Sequence, residues 1–311
     1  MSPAISAIVC THNRSVMVAD AVDSLLGQTL PRHDYEIILV DNASTDNTAE
    51  VLAAYGASGR ILVEREPSLG LSYARNRGLA AARAPCVAFL DDDAVAEPDW
   101  LGALLRAFEA LPSIGCVGGL VLPRWEIPRP PWLHDALLPC LSVLDWGTEP
   151  CILSRPRFIA GANMAFRRGA LEQAGGFDPG LGRMGEDLLS GEEQDAVERV
   201  ESLGWVTRYE PAAKIRHWVP RERLMPEWLL ARAAAQGRTD AARLRKAAGG
   251  RRGVLRYRAF GTLLSPRFAR DLAGSWLARR ADRRFLGRFL VTERMALIRA
   301  LLGSDRTLAN G

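Results

Sequence analysis

Four short apolar runs near the N-terminus alternate with stretches of helical pattern, and this alternation restricts the fold more than any other feature. The runs cover residues 5–10, 36–40, 61–63 and 87–90. Strands that alternate with helices of this length are typical of βαβ units, in which helices cover both faces of a parallel sheet. The sequence therefore predicts an α/β domain with a mostly parallel twisted sheet flanked by helices.

The bulk properties place the chain among compact intracellular proteins. It has 311 residues, of which 48% are hydrophobic, enough for one large domain or for one domain with an extension. The first ten residues lack the basic and long apolar segments of a signal peptide, and no apolar run reaches the roughly 18 residues that span a bilayer. The cysteines show no metal-binding spacing, which favours a reduced cytoplasmic protein without structural zinc. They are Cys10, Cys86, Cys116, Cys140 and Cys151.

The segment FLDDDAV carries the sharpest chemical signal. An apolar strand delivers Asp91, Asp92 and Asp93 into one turn. Three carboxylates this close repel one another, and a bound cation removes that penalty. Oxygen ligands suit Mg²⁺ or Mn²⁺, which usually also hold substrate phosphates. The alternative is a helix N-cap with solvated acids ahead of Pro98.

Two other polar segments are ambiguous when each is taken alone. In LVDNASTDNT, Asp41 could accept hydrogen bonds from a nucleobase, whereas Ser44 or Asp46 could simply cap a helix. In GLSYARNRG, Arg75 could lie near a pyrophosphate, and the alternative for it is a surface ion pair.

The segment GEEQDAVERVESLGW places carboxylates at the start of a helix, where the helix dipole favours negative charge. On a helical wheel, Glu193 lies on the apolar stripe that ends at Leu203, Glu192 lies at its rim, and Asp195 points away. An inward glutamate suggests a general base, with a buried ion pair as the alternative. His217 ends a strand-like stretch and, alone, is more typical of a structural histidine.

Taken together and in this order, the segments resemble the family 2 glycosyltransferases of the GT-A fold. The resemblance covers roughly residues 4–220 and is carried by AIVCTHNR, LVDNASTDNT, GLSYARNRG, FLDDDAV, FIAGANMAFRR with GGFDPGLG, GEEQDAVERVESLGW and YEPAAKIRHW. It implies an inverting enzyme that uses a nucleotide diphosphate sugar and a divalent metal, Mn²⁺ or Mg²⁺.

The resemblance also implies roles for individual residues in binding the donor and the metal. Asp41 matches the aspartate that contacts the base, often uracil, and Arg75 the arginine near the base and diphosphate. Asp91, Asp93 and His217 match metal-binding positions, and Asp93 is expected to be a direct ligand. The expected donor-binding residues are Thr11, Asn13, Arg14, Asp41, Asn42, Arg75, Asp91 and Asp92.

A second group of positions matches the acceptor side of such enzymes. Gly161, Ala162 and Asn163 match a loop near the donor sugar and the acceptor. Glu193 falls where many relatives carry the aspartate of a Glu-Asp pair, the proposed catalytic base. Because a glutamate is one methylene longer, Glu192 and Asp187 remain alternative bases.

The C-terminal part has a different charge balance from the rest. Residues 221–311 contain 21 Lys and Arg against 7 Asp and Glu, whereas residues 1–220 have a net charge of −10. We therefore expect a catalytic domain over residues 1–220 and a basic helical extension over 221–311. An arginine-rich solvated surface would look the same.

The extension suggests a peripheral site on an anionic membrane, at the inner face, rather than a nucleic acid partner. Arginines and apolar residues interleave there in a pattern typical of a helix lying among lipid headgroups. The alternative is packing against the catalytic domain or a second subunit, which would make a homo-oligomer. The residues are Trp276, Arg279, Arg280, Arg283, Arg284, Phe285, Leu286, Arg288, Phe289 and Leu290.

The predicted function is transfer of a sugar from a UDP-linked donor to a hydroxyl of a lipid-linked sugar or glycan in cell-envelope or extracellular glycan synthesis. Two other classes stay open. A sugar nucleotidyltransferase would usually add a glycine-rich loop with a lysine, yet the chain's lysines are Lys214 and Lys246 and neither follows a glycine. A non-catalytic nucleotide-sugar or glycan binder would need no general base.

Overall fold

The computed structural model describes residues 2–57, 59, 61–183, 185, 188–249 and 251–303, without the side chain of Arg252. The chain divides into two compact units. The sheet unit comprises residues 1–126, 142–185 and 191–219, and the helical unit comprises residues 127–141, 186–190 and 220–311.

The sheet unit alternates strands and helices along its first hundred residues, as the sequence predicts. Its strands are β1 (Ile5–Thr11), β2 (Tyr35–Asn42), β3 (Ile61–Glu66), β4 (Cys86–Asp91), β5 (Ala94–Ala96), β6 (Ile114–Trp125), β7 (Cys151–Ile152), β8 (Asn163–Arg167) and β9 (Val206–Val219). Its helices are α1 (Met17–Leu26), α2 (Thr48–Gly56), α3 (Leu71–Ala81), α4 (Trp100–Ala110), α5 (Arg168–Gln173) and α6 (Glu192–Ser202).

The strands form one sheet in the order β3-β2-β1-β4-β8-β6-β9-β5, with β7 also paired to β9. The first four strands are parallel, as predicted. Beyond β4 the sheet is mixed, because β8 runs antiparallel to both β4 and β6, and β9 is antiparallel to β5 and β7 but parallel to β6. The predicted α/β class with a mostly parallel sheet is confirmed, and among the described strands antiparallel pairs occur only beyond β4. The periodicity of a strand does not indicate whether it runs parallel or antiparallel to its neighbours. The direction of β8, which follows residues 126–162, could therefore not be predicted.

The central strands are buried along almost their whole length. In β1 every side chain from Ile5 to Val9 is buried, and in β2 all eight residues are. Continuous burial requires helices on both faces of the sheet, so polar side chains are accommodated mainly where the strands end. Below that edge, Phe89, Phe166 and Phe177 pack edge to face with ring centroids 5.2–6.3 Å apart.

The helical unit contains α7 (Pro226–Ala247), α8 (Arg252–Leu263), α9 (Pro266–Leu277) and α10 (Ala281–Leu302). Proline opens α7 and α9 at the first turn, where its missing N–H costs nothing. A glycine allows α7 and α10 to approach closely, since a Cβ on Gly237 would lie 2.2 Å from the carbonyl oxygen of Glu293. Helix α10 contacts each of the other three helices.

The packing of α10 corrects the face that the sequence suggested for membrane contact. Phe285 and Phe289 are buried inside the helical unit, and the ring of Phe285 lies 4.6 Å from that of Trp132. Trp276, on α9, is by contrast largely exposed. The apolar side of α10 is occupied by protein because α10 is the helix that the others surround. Among the described residues, no helix combines the length and apolar character needed to cross a membrane.

Candidate active site

Polar side chains converge at the carboxyl ends of the parallel strands, where the sheet register brings three strands together. Thr11 lies opposite Asp41 between β1 and β2, and Cys10 lies opposite Asp91 between β1 and β4. Thr11 Oγ1 donates a hydrogen bond to Asp92 Oδ2 at 2.7 Å. This is the edge at which open α/β sheets bind ligands.

Asp91, Asp93 and His217 form a cluster whose ligand atoms all lie within 4.8 Å of one another. Strand pairing delivers the histidine, because β9 places His217 opposite Ala94, directly after the aspartates. The backbone N–H of Trp218 donates to the carbonyl of Asp93 at 2.8 Å, and His217 Nε2 lies 3.1 Å from Asp93 Oδ1. His217, which taken alone is more typical of a structural histidine, therefore does reach the aspartates.

The chemistry of this cluster fits a divalent cation. The side chains of Asp93 and His217 are 5% and 1% exposed, so solvent water does little to hydrate their polar atoms. His217 Nδ1 is buried and has no hydrogen-bond partner among the described residues. Two carboxylates and an imidazole make a donor set that Mn²⁺ accepts and that Mg²⁺ accepts through its oxygens.

Arg14 neutralises the middle of the acidic turn. Its Nη1 donates to Asp92 Oδ1 and to Asp93 Oδ2, both at 2.8 Å. Burial raises the pKa of Asp92 to about 6 against the opposing charge of Arg14, and the charge of Asp92 in turn raises the pKa of Arg14. The guanidinium of Arg14, an expected donor-binding residue, is thus paired with two aspartates of the turn.

Arg75 connects the acidic turn to the start of α6. It is buried, and its Nη1 donates to Glu192 Oε1 at 2.8 Å while Nη2 lies 3.3 Å from Asp91 Oδ1. Nη2 also donates to the carbonyl of Gly161 at 3.3 Å, and the guanidinium stacks 5.5 Å above the ring of Phe177. Arg75 is therefore not a surface ion pair but the link between two groups of carboxylates.

The two glutamates at the start of α6 differ from their predicted orientation. Glu192 is the buried one at 4% exposure, Glu193 is half-buried, and Leu203 at the end of the predicted apolar stripe is 43% exposed. The helix begins at Glu192 after Gly191, which adopts a left-handed conformation with φ 98°. The left-handed Gly191 directs the side chain of Glu192, the first residue of α6, towards Arg75. A helical wheel based on the later turns of α6 therefore gives the wrong orientation for Glu192.

Glu193 nevertheless faces the site. A Cβ on Gly161 would lie 3.7 Å from its carboxyl carbon. The Oε2 atoms of Glu192 and Glu193 are both buried and receive no hydrogen bond from a donor in the described part of the chain. Buried acceptors without a donor are uncommon and often mark functional positions. The paired carboxyls can hydrogen-bond to each other only when one is protonated.

Glu192 should give the protein a measurable pH dependence of stability. Burial, with the negative charge of Glu193, raises the pKa of Glu192 from 4.5 to about 8 despite Arg75. A carboxyl whose pKa is raised by folding contributes stability below its unfolded pKa and loses it as pH rises through the folded value. Wild-type stability, measured relative to Glu192→Gln, should therefore fall between pH 5 and pH 8 by on the order of a few kcal/mol.

Urea unfolding of both proteins across this pH range measures that difference. Glu172→Gln is the matched control, since Glu172 is half-exposed on α5 and lies 3.7 Å from Arg168; its substitution should leave the slope unchanged. Parallel pH profiles for wild type and Glu192→Gln would contradict the raised pKa.

Asp41, Asn13 and Asn42 hold the loops around the site. Asp41 Oδ1 accepts from the backbone N–H of Ser44 at 3.1 Å. Asn13 adopts φ 52°, and its Oδ1 accepts from the N–H of Thr45 at 2.8 Å. Asn42 donates to the carbonyl of Ser68 at 2.7 Å and accepts from the N–H of Gly70 at 2.8 Å. The last arrangement corrects the expectation for Asn42, whose amide is committed to the loop before α3.

Asn163 is likewise not a sugar contact. It is fully buried, its Oδ1 accepts from Trp100 Nε1 at 2.8 Å, and its Nδ2 donates to the carbonyls of Leu120 and Ala213 at 3.1 and 2.8 Å. A single amide thus connects β8, β6, β9 and α4. Ala162 is buried as well, with its carbonyl 3.5 Å from the N–H of Asp91. Of this predicted loop, Gly161 reaches the glutamates and Arg75.

We expect Asn163→Ala to destabilise the fold rather than weaken substrate binding. The substitution leaves the buried Trp100 indole N–H without its partner and removes the side-chain hydrogen bonds to the carbonyls of Leu120 and Ala213; each buried polar group left unpaired costs about 1–3 kcal/mol. Thermal or urea unfolding checks this. Asn47→Ala is the control, because Asn47 is exposed and its side chain makes no capping hydrogen bond, so a change within roughly 0.5 kcal/mol is expected there. Equal stability of the two variants would contradict the structural role.

The segment GGFDPGLG, which carries part of the family resemblance, ends beside the glutamates. A Cβ on Gly182, at φ 93°, would lie 3.1 Å from the carboxyl carbon of Glu192 and 3.1 Å from Ser72 Oγ. Ser72 Oγ donates to the carbonyl of Leu181 at 2.8 Å. The repeated glycines of GGFDPGLG were the available signal for this tight loop. The alternative base Asp187 lies outside the described residues.

Comparisons with known proteins identify the family of the chain. The family described as Glycosyl transferase family 2 matches residues 6–175. A glucosyl-dolichyl phosphate glucuronosyltransferase of Haloferax volcanii is 27% identical over 237 residues, 75% of each chain. A validoxylamine A glucosyltransferase of Streptomyces hygroscopicus is 29% identical over 61% of this chain and 50% of its own length. The chain thus spans three quarters of the first relative and about half of the second.

The fold is also found among solved structures. A mannosyltransferase from Pyrobaculum calidifontis, in complex with GDP-Man and Mn²⁺, superposes with a TM-score of 0.66 at 20% identity, covering 97% of this chain and 88% of its own. At that identity the likeness establishes the GT-A fold, and the sequence match establishes the family. The chain belongs to glycosyl transferase family 2, and it uses a nucleotide-sugar donor.

Proposed function

We propose that this protein transfers a sugar, with inversion at the anomeric carbon, from a nucleotide diphosphate sugar to a hydroxyl acceptor. One observation carries the proposal: the Asp91–Asp93–His217 cluster lies in the same network as the paired glutamates, with Arg75 in contact with Asp91 and Glu192. We assign catalysis to residues 1–220 and a supporting role to the basic extension 221–311.

Asp91, Asp93 and His217 are the residues that would hold Mn²⁺ or Mg²⁺. A divalent ion bound there supplies positive charge against the diphosphate leaving group. The protein adds to that charge through Arg14, which lies between Asp92 and Asp93. Asp41, at the adjacent strand end, is proposed to recognise the nucleobase, and Thr11 keeps Asp92 oriented through its hydroxyl.

Glu193 is the proposed catalytic base. Its carboxylate accepts the proton of the acceptor hydroxyl, while the acceptor oxygen bonds to the anomeric carbon and the bond from that carbon to the diphosphate oxygen breaks. Glu192 is held by Arg75 at 2.8 Å, which leaves Glu193 as the less constrained of the two. Its place beside Gly161 supports this assignment.

The donor and acceptor are proposed at the level of chemical class. A uridine diphosphate sugar is the proposed donor, on the resemblance of Asp41 to the uracil-contacting position. A hydroxyl on a lipid-linked sugar or glycan is the proposed acceptor, in cell-envelope or extracellular glycan synthesis. The name of the Haloferax volcanii relative, which acts on a glucosylated dolichyl phosphate, supports a lipid-linked acceptor.

A donor screen tests the proposal. Thermal stabilisation and release of nucleoside diphosphate are measured with UDP-, GDP-, ADP- and dTDP-sugars, each with and without Mn²⁺. The expected result is metal-dependent stabilisation and slow diphosphate release with one nucleotide class, UDP. Pyrophosphate release from a nucleoside triphosphate and a sugar phosphate would instead indicate a nucleotidyltransferase. Stabilisation without any turnover, with acceptors supplied, would indicate a binding protein.

A further inference from the structure

Four of the most exposed large apolar side chains of the described residues lie on α8, on α9 and on the short connection between them. Tyr257, Leu264, Trp276 and Leu277 are each 78–80% exposed, and only Val16 is more exposed among the large hydrophobic residues described. Single exposed apolar residues are ordinary on protein surfaces, whereas a concentration marks an interaction surface. All four fall within 21 consecutive residues.

Helix α8 presents an apolar side opposite the side it buries. Leu255 and Ala259 are buried in the helical unit. On a wheel of 3.6 residues per turn, Val254, Tyr257 and Phe260 lie on the opposite side, and all three are exposed. Arg256 and Arg258 flank this side on its two edges and are exposed too. An apolar strip with an arginine on each edge suits a boundary between oil and water.

Helix α9 also presents exposed apolar side chains, but they lie beside its buried stripe and do not have an arginine on both edges. Its buried stripe is formed by Phe268, Asp271 and Ser275. Leu272, Trp276 and Leu277 occupy an exposed arc beside that stripe. Tryptophan and tyrosine, one exposed on each helix, are the residues enriched where membranes meet water. Only Leu264 and Ser265 separate the two helices.

The charge of the same segment is strongly positive. Residues 251–280 contain eight arginines and one acidic residue. That residue, Asp271, is buried and paired with Arg294 at 2.8 Å. Asp271 also lies 3.6 Å from Arg270, so the exposed surface of the segment carries more arginines than this one acidic side chain can balance.

We propose that the exposed side of α8 and α9 is a docking surface for an anionic lipid bilayer, with Tyr257, Phe260, Trp276 and Leu277 inserted among headgroups and arginines paired with lipid phosphates. Charge complementarity selects this occupant. A second copy of the chain would bring one arginine-rich surface against another, which is electrostatically unfavourable. Binding of this kind needs no spanning helix. The proposal stands apart from the reaction at the sheet edge.

Flotation of the full chain with vesicles tests the surface. Vesicles of phosphatidylcholine alone are compared with vesicles containing phosphatidylglycerol, at low and at high salt. We expect binding only to the anionic vesicles, weakened by salt because surface charges are screened. Tyr257→Ser/Trp276→Ser/Leu277→Ser should weaken the partition coefficient at least tenfold. Arg256→Gln/Arg258→Gln should weaken it at low salt and reduce its salt dependence.

The control variant removes exposed apolar side chains elsewhere. Leu111 and Leu203 are 45% and 43% exposed in the sheet unit, so Leu111→Ser/Leu203→Ser should bind vesicles as wild type does. Circular dichroism and donor-stabilised melting confirm that each variant is folded and binds nucleotide. The proposal is overturned if wild type fails to bind anionic vesicles at low salt, or if the triple variant binds as wild type. A wild-type dimer that the triple variant abolishes, without lipid binding, would assign the surface to self-association.

Discussion

Glu193→Gln should lower the rate of sugar transfer by roughly 10²–10⁴-fold, the usual contribution of a positioned proton acceptor, while donor affinity changes little. The amide keeps the size of the side chain but cannot accept the proton of the acceptor hydroxyl. Single-turnover transfer measures the rate, and thermal stabilisation by the nucleoside diphosphate with Mn²⁺ measures donor binding.

Two variants on the same helix make this prediction specific. Asp195→Asn removes a carboxylate two residues away that pairs with Arg199 at 2.8 Å, and it should retain near wild-type transfer. Glu192→Gln should alter the pH dependence of stability and lower transfer less than Glu193→Gln does. If Glu192→Gln has the larger loss of transfer at full donor binding, Glu192 is the base.

Asp93→Ala should abolish metal-dependent donor binding and lower transfer by about 10³-fold or more, because a metal contributes several kcal/mol of charge stabilisation in such reactions. Asp93 contacts His217 Nε2 and Arg14, so its loss removes the centre of the cluster. Calorimetric titration of the donor with and without Mn²⁺ measures the effect on binding.

Asp99→Ala is the matched control, because Asp99 is exposed, pairs with Arg106 and lies outside the cluster. It should keep wild-type metal dependence. Excess chelator should reduce wild-type transfer to the level of Asp93→Ala. Full transfer in chelator, or unchanged metal dependence of Asp93→Ala, would contradict the assignment.

The first half of the sheet could be predicted because its strands are short, apolar and followed by polar residues. The same signal is missing from β6, where Gly118 and Gly119 interrupt the apolar pattern. These glycines are required by neighbouring groups: a Cβ on Gly119 would lie 1.7 Å from the carbonyl oxygen of Ala213. A close approach between distant strands leaves no periodicity in the sequence.

The residue types of the site were more predictable than their partners. The aspartate turn and His217 are brought together as the resemblance implies. Arg75 and Glu192 form a buried ion pair across 117 positions of sequence, which no local pattern can indicate. Asn163 matched a sugar-binding loop by its neighbours, yet its amide is used by three elements of the fold.

The pairing of β9 determines which changes of chain length this enzyme can tolerate. His217 lies opposite Ala94 on one side and Pro123 on the other, with continuous register over residues 215–217. A one-residue insertion or deletion there would turn every following side chain to the other face of the sheet. Arg216 is exposed and pairs only with the surface residue Glu97 among the ion pairs described. We therefore expect related sequences to differ freely at position 216 but to conserve the length of the segment that leads to His217.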